Sequence, residues 1–272
     1  MKTPLAALSA LAAATLTLTG CGSSQASSSS TASASSSPAA SQASSGKIQV
    51  FAAASLNNAG ADLEKAYEAA NPGVDITFVY EGSAKLVTQI EQGATPDMLI
   101  TADTKNMDKA KKLDEFSESD STVLVTNKLV LVTAEGNPGK INSLDDLKTT
   151  EGVVAVCKED VPCGTLAHEE LKKHDITLKN ATTEGKVTDV ATKVTTGNAD
   201  AGFIYTTDLA AAKKKGVNLG SVDLPDVEPN EYPAALSKTG ASSDAAKKFN
   251  EWLKTSDEAK KILAGYGFNT TK

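Results

Sequence analysis

Three times in this 272-residue chain a β-prone run ends in a very short turn of small or hydroxyl residues, and a helix-forming run follows at once. The three are Phe51 to Leu56 (FAAASL), Tyr80 to Ala84 (YEGSA) and Val161 to Thr165 (VPCGT). Each such turn opens a helix, whose first N–H groups have no intrahelical acceptor and carry a partial positive charge, so each is an anion-binding element. Ser55 and Ser83 add hydroxyls that also donate. A single serine there is explained by helix capping. Three turns divided between two blocks of sequence point to an oxyanion clamp.

The rest of the pattern supplies a frame for these turns. Lys47 to Phe51 alternates as a strand, Leu56 to Asn71 has helical spacing, and Asn71-Pro72-Gly73 ends it. Val74 to Tyr80 is a second strand, a helix follows Ser83 until Gly93, and Asp97 to Thr101 is a third strand before a Lys-rich helix. Val123 to Thr133 reads as one long β-segment, broken at Gly136 to Gly139. A second alternating block holds strands at Val153 to Cys157 and Ala201 to Tyr205, with helices after Gly164 and from Val187. Tyr232 to Lys238 is one more strand, followed by two helices rich in Ala and Lys. Strand–helix alternation argues for parallel strands with right-handed crossovers. Two α/β blocks and a terminal return give two lobes: residues 47–130 with 232–272, and residues 131–231. Ligands of such folds bind in the cleft at the carboxyl ends of the strands.

The N-terminus reads as a processing signal. Lys2 precedes an apolar run from Leu5 to Leu18, too short to span a membrane, and Leu18-Thr19-Gly20-Cys21 has the form of a bacterial lipobox. Residues 1–21 are therefore expected to be a lipoprotein signal with Cys21 as the lipidated residue, and residues 22–46, nearly all Ser and Ala, a disordered tether. That puts the body at the extracellular face of the cell membrane, attached only by lipid. Twenty-seven basic residues, all Lys, stand against 34 acidic ones, a net charge of −7. An acidic chain without Arg is a poor nucleic-acid binder, and any bound anion is held without the guanidinium fork. With Cys21 lipidated, Cys157 and Cys163 remain either as a disulfide, which an extracellular compartment permits, or as two free thiols.

An enzyme is not expected. A Ser or Cys nucleophile needs a partnered base, and the two histidines, His168 and His174, lie on a polar helix and read as solvated surface. Two histidines and scattered carboxylates show no metal-ligand spacing. The Lys-rich stretches at 105–112 and 213–215 read as solubilising helix faces.

VFAAASL at Val50 to Leu56, the serine turn with its tail from Ser83 to Gly93, PDMLITAD at Pro96 to Asp103, VPCG at Val161 to Gly164, GFIYTTD at Gly202 to Asp208 and the closing YGF occur in one order. In these features, over nearly all of Lys47 to Phe268, the chain resembles the periplasmic molybdate-binding proteins of ABC importers. The resemblance implies a type II two-lobed periplasmic-binding-protein-like α/β fold, each lobe a mostly parallel sheet flanked by helices, with the ligand in the cleft and lobe closure around it. It implies molybdate or tungstate as ligand, no cofactor, molybdenum present only as the oxyanion, the permease subunits of an ABC importer as partners, and a monomer. Ser55 and Ser83 would donate from hydroxyl and backbone, Cys163 (where alanine is familiar) and Val187 from the backbone, and Tyr205 from its phenol. A bridge between Cys157 and Cys163 would pin the turn that presents the Cys163 N–H. A site made only of donors would reject hydrogen phosphate, whose proton needs an acceptor. A receptor of the same fold for another oxyanion such as sulfate is the nearest alternative, and a secreted hydrolase a distant one.

Overall fold

The computed structural model describes residues 46–270. The expected signal, Cys21 and all but the last residue of the expected tether lie outside the described residues; Gly46, the last residue assigned to the tether, is the first of strand β1.

The chain opens as β1 (Gly46–Ala53), α1 (Asn57–Ala70), β2 (Val74–Glu81), α2 (Ser83–Glu91), β3 (Met98–Ile100), α3 (Thr104–Ala110) and β4 (Ser121–Asn127). A 3-10 turn over Ala54–Leu56 joins β1 to α1. The central part is β5 (Leu129–Thr133), β6 (Val154–Cys157), α4 (Pro162–Lys173), β7 (Ala181–Glu184), α5 (Val187–Thr195), β8 (Ala201–Tyr205), α6 (Thr206–Lys214) and β9 (Gly220–Val222). The return is β10 (Asn230–Leu236), α7 (Lys238–Ser242), α8 (Asp244–Thr255), α9 (Asp257–Gly265) and β11 (Asn269–Thr270).

The strands form two mixed sheets, in the orders β11-β4-β10-β3-β1-β2 and β7-β6-β8-β5-β9. In each, one half is parallel and carries the strand-to-helix turns: β2, β1 and β3 in the first, β7, β6 and β8 in the second. The other half is antiparallel, because it contains the segments that leave one lobe and come back. Alternation alone shows only the parallel half. The β-segment expected over 123–133 is two strands: β4 lies in the first sheet, β5 in the second, and Lys128 stands between them. The change of sheet therefore comes two residues before the boundary expected after residue 130, and β10 begins two residues before the expected 232. β7 and β9 had no expected counterpart.

Each lobe has its own apolar interior. In the second, Leu129, Leu131, Phe203 and Ile204 are fully buried. In the first, Ile48, Val50, Met98 and Phe249 fill one face of the sheet, while Phe51, Leu86, Leu99 and Phe116 fill the other. Among the described residues no helix is long and apolar enough to cross a membrane.

Cys157, the last residue of β6, is bonded through its sulfur to Cys163 in the first turn of α4, six residues on. Gly164 lets this turn close tightly, since a Cβ there would lie 1.8 Å from the Lys158 carbonyl oxygen. Closing so short a loop contributes about 2 kcal/mol through the unfolded chain. Reduction is accordingly expected to lower stability by about that amount, read as a lower urea midpoint with thiol titration of the denatured chain; an unchanged midpoint after full reduction would contradict it.

Candidate functional site

Four of the five residues expected to meet the ligand sit in the first turn of a helix. Ser55 lies in the 3-10 turn after β1, Ser83 is the first residue of α2, Cys163 the second of α4, and Val187 the first of α5. Tyr205 is the last residue of β8. All five border one cavity, and each is at least 95% buried. Ser55 and Ser83 come from the first lobe; Cys163, Val187 and Tyr205 come from the second.

Ala53, Ala54, Gly82, Ala102, Val161 and Pro162 complete the lining. Among the described residues no carboxylate or ammonium group borders the cavity, and the tyrosine phenol is the one titratable group that does. Burial pushes the Tyr205 phenol well above its ordinary range, so it keeps its proton and remains a donor. The space between these residues is small, about 10 Å³, where pockets for drug-sized molecules run to about 300–1,000 Å³. First turns of helices and hydroxyl side chains from both lobes around one small space suit a compact anion.

The lobes touch at the mouth. A Cβ at Gly82 would lie 2.3 Å from the carbonyl oxygen of Gly185, so only glycine allows α2 to approach α5 this closely. Beside that contact the Lys186 ammonium is 3.4 Å from the Glu81 carboxylate, which also accepts from Lys85 at 2.7 Å.

A second layer of polar groups backs the cavity, and sequence reasoning did not find it. Ser83 Oγ accepts from the Ala102 N–H at 3.0 Å. Ser55 Oγ pairs with the Tyr232 hydroxyl at 2.8 Å. Asn230 Nδ2 donates to both the Tyr205 hydroxyl, at 2.5 Å, and the Ala102 carbonyl, at 2.7 Å. Asn127 Nδ2 donates to Tyr232, at 3.3 Å, and to Thr207 Oγ1, at 2.9 Å. Ser55 and Tyr232 are 177 positions apart in the chain, and no local pattern links them. The available signal was weak: a polar asparagine at the end of one β-run and another at the start of the last.

The histidines are less free than expected. His168 is half-buried, with Nε2 3.2 Å from the Cys157 carbonyl oxygen, because its face of α4 leans on the end of β6. His174 lies 3.4 Å from the buried Glu170 carboxylate. Glu170, His174 and Asp226 bring a potential metal-ligand atom each to within 4.8 Å of one another. The Lys173 ammonium stands 3.4 Å from the Glu170 carboxylate and donates to the Asp226 backbone carbonyl.

Asp208 is the remaining buried carboxyl nearby. It accepts from the Tyr205 N–H at 3.1 Å, while burial pushes its pKa up to about 7.

A family model for bacterial extracellular solute-binding proteins matches residues 48–269. The chain belongs to this family. Over 233 residues this solute-binding protein is 36% identical to the molybdate-binding protein ModA of Mycobacterium tuberculosis, covering 85% of this chain and 87% of that one. Its structure resembles the periplasmic molybdate-binding protein of Azotobacter vinelandii, with a TM-score of 0.70 at 20% identity over 83% of this chain and 100% of the other. The sulfate-binding protein SubI of Mycobacterium tuberculosis gives a TM-score of 0.72 at 19% identity, over 83% and 87%. At such identities the two structures establish the two-lobed type II fold and not the ligand.

A carboxyl whose folded pKa lies above its unfolded value holds a proton that the unfolded chain releases. The stability due to Asp208 is thus complete below pH 4 and declines, by a few kcal/mol in all, as pH rises through about 7. Asp208→Asn is expected to flatten that decline in melts run from pH 4 to 8. An unchanged slope would contradict the assignment.

Proposed function

We propose that this solute-binding protein captures molybdate, or its close analogue tungstate, outside the cell and delivers it to the permease subunits of an ABC importer. The observation that carries the proposal is the convergence of Ser55, Ser83, Cys163, Val187 and Tyr205, from both lobes, on a cavity that no carboxylate or ammonium borders. A dianion in such a site is stabilised by neutral donors already in position, each charge-assisted hydrogen bond contributing about 1.5–3 kcal/mol. Several together reach the roughly 8–12 kcal/mol of micromolar to nanomolar binding. The identity to ModA over most of the chain supports molybdate as the cargo.

The site captures and releases its ligand without chemistry, a reading that the family of solute-binding proteins supports. The two lobes close on the oxyanion as rigid bodies about the crossings near Lys128 and between β9 and β10. Cys21 carries the lipid, residues 22–45 tether the body to the outer face of the membrane, and the protein acts as a monomer.

Molybdate and tungstate are expected to raise the melting temperature well above the shift given by equal concentrations of sulfate or phosphate; a ligand at 100 times its Kd stabilises by about 2.7 kcal/mol. Ser55→Ala and Tyr205→Phe are each expected to weaken molybdate binding about 10- to 100-fold, the equivalent of one charge-assisted hydrogen bond. A melting temperature indifferent to all four anions would overturn the proposal, and a sulfate shift exceeding that of molybdate would reassign the ligand.

A further inference from the structure

The hydroxyls that face the cavity are each backed by a hydrogen-bond donor whose orientation is fixed. A hydroxyl has one proton, and its oxygen both donates and accepts. Where a fixed N–H already points at that oxygen from behind, the hydroxyl proton is directed elsewhere. For Ser83 the fixed donor is a backbone N–H, that of Ala102. Its direction is therefore set by the chain itself.

For Tyr205 the donor is Asn230. The amide atom of Asn230 beside the Ala102 carbonyl oxygen must be nitrogen, because a carbonyl oxygen only accepts. That same nitrogen faces the Tyr205 hydroxyl. Asn127 is fixed from the opposite side. One of its amide atoms receives the Lys128 N–H at 3.0 Å and must be oxygen, and the Thr206 hydroxyl donates to the same atom. Its nitrogen is left to donate to Tyr232. Asn127 fills one lone pair of the Tyr232 oxygen, and the Ser55 hydroxyl lies 2.8 Å away on the other side; when Tyr232 is the donor in that pair, the Ser55 proton is left for the cavity.

Asn127 and Asn230 are themselves neighbours, paired in register on β4 and β10 where the chain crosses between lobes. Both are more than 90% buried.

We propose that Asn230, and Asn127 acting through Tyr232, are specificity-determining positioning residues that hold the Tyr205 and Ser55 hydroxyls as donors towards the ligand. The inference rests on the oxyanion reading of the site. With Ser83 fixed in the same way by the backbone, the three hydroxyls are held to present their protons to the cavity. A fully deprotonated tetrahedral dianion satisfies it, whereas an oxyanion that keeps a proton, such as hydrogen phosphate, leaves that proton unpaired. Releasing one hydroxyl from its fixed donor lets it rotate and accept, so discrimination falls along with affinity.

The test is a double-mutant cycle on the full-length protein, titrated with molybdate and with inorganic phosphate by calorimetry. Asn230→Leu alone is expected to weaken molybdate binding about tenfold, close to one hydrogen bond, and to narrow the preference for molybdate over phosphate. In the Tyr205→Phe background the same change is expected to cost less than about threefold, because the hydroxyl it directs is gone. Equal losses in both backgrounds, or an unchanged molybdate-to-phosphate ratio, would overturn the proposal and leave Asn230 a structural residue of the hinge. Should Asn230→Leu fail to fold, Asn127→Leu with Ser55→Ala forms the equivalent cycle through Tyr232, with the same two outcomes. Failure of the unmodified protein to bind molybdate would instead sink the functional reading above.

Discussion

Where β4 and β10 cross between the lobes, Asn127 and Asn230 lie side by side in an antiparallel pair. Much of the molecule's organisation depends on that junction. It joins two sheets with separate apolar interiors, and its side chains bond to groups that line the cavity. Asn230 ties the end of β8, through the Tyr205 hydroxyl, to the backbone at the end of β3, through Ala102. Asn127 ties α6, through Thr206 and Thr207, to Tyr232 and so to Ser55. The asparagines that join the lobes thus also support the groups that face the ligand. Buried amides of this kind are costly unless every donor and acceptor is met. Here each amide nitrogen has two acceptors in reach.

A dianion held without lysine or arginine sounds unfavourable, and in water it would be. In a small, buried cavity the comparison changes. Water no longer competes, and fixed N–H and O–H groups need no reorganisation when the ligand arrives. A cation in the cavity would add attraction but would also accept any anion of the right size. Neutral donors sense how many lone pairs the ligand offers and where. The lysines stay outside: Lys186, at the mouth, is engaged with Glu81, and others lie on the surface in pairs worth little individually.

The candidate site was legible in the sequence to the extent that it is built from local turns. Ser55, Ser83, Cys163 and Val187 each begin or lie in the first turn of a helix, and helix starts are written in a few consecutive residues. Tyr205, at the end of a buried strand, was visible only through the resemblance of GFIYTTD to a known family. What lies behind the cavity could not be read. Tyr232 appeared merely as the first residue of a strand, and its contact with Ser55 spans nearly the whole body. The split of 123–133 into β4 and β5 was hidden for a related reason: the run stays apolar on both sides of Asn127 and Lys128, and nothing local marks a change of sheet. β7 is a polar edge strand (ATTE) and β9 only three residues long, so neither shows the alternation by which strands are recognised. The disulfide was one of two open options for a pair six residues apart, and proximity in the fold decides it.

In the proposed function one oxyanion sits between the lobes, held by neutral donors alone. Diffraction from crystals grown with molybdate, recorded at the molybdenum absorption edge, tests it most directly. The account predicts one anomalous peak in the cavity, with the oxyanion's oxygens about 2.7–3.2 Å from Ser55 Oγ, Ser83 Oγ, the Tyr205 hydroxyl and the N–H groups of Cys163 and Val187. A peak elsewhere on the molecule, or an oxyanion held in the cleft by lysine side chains, would contradict it.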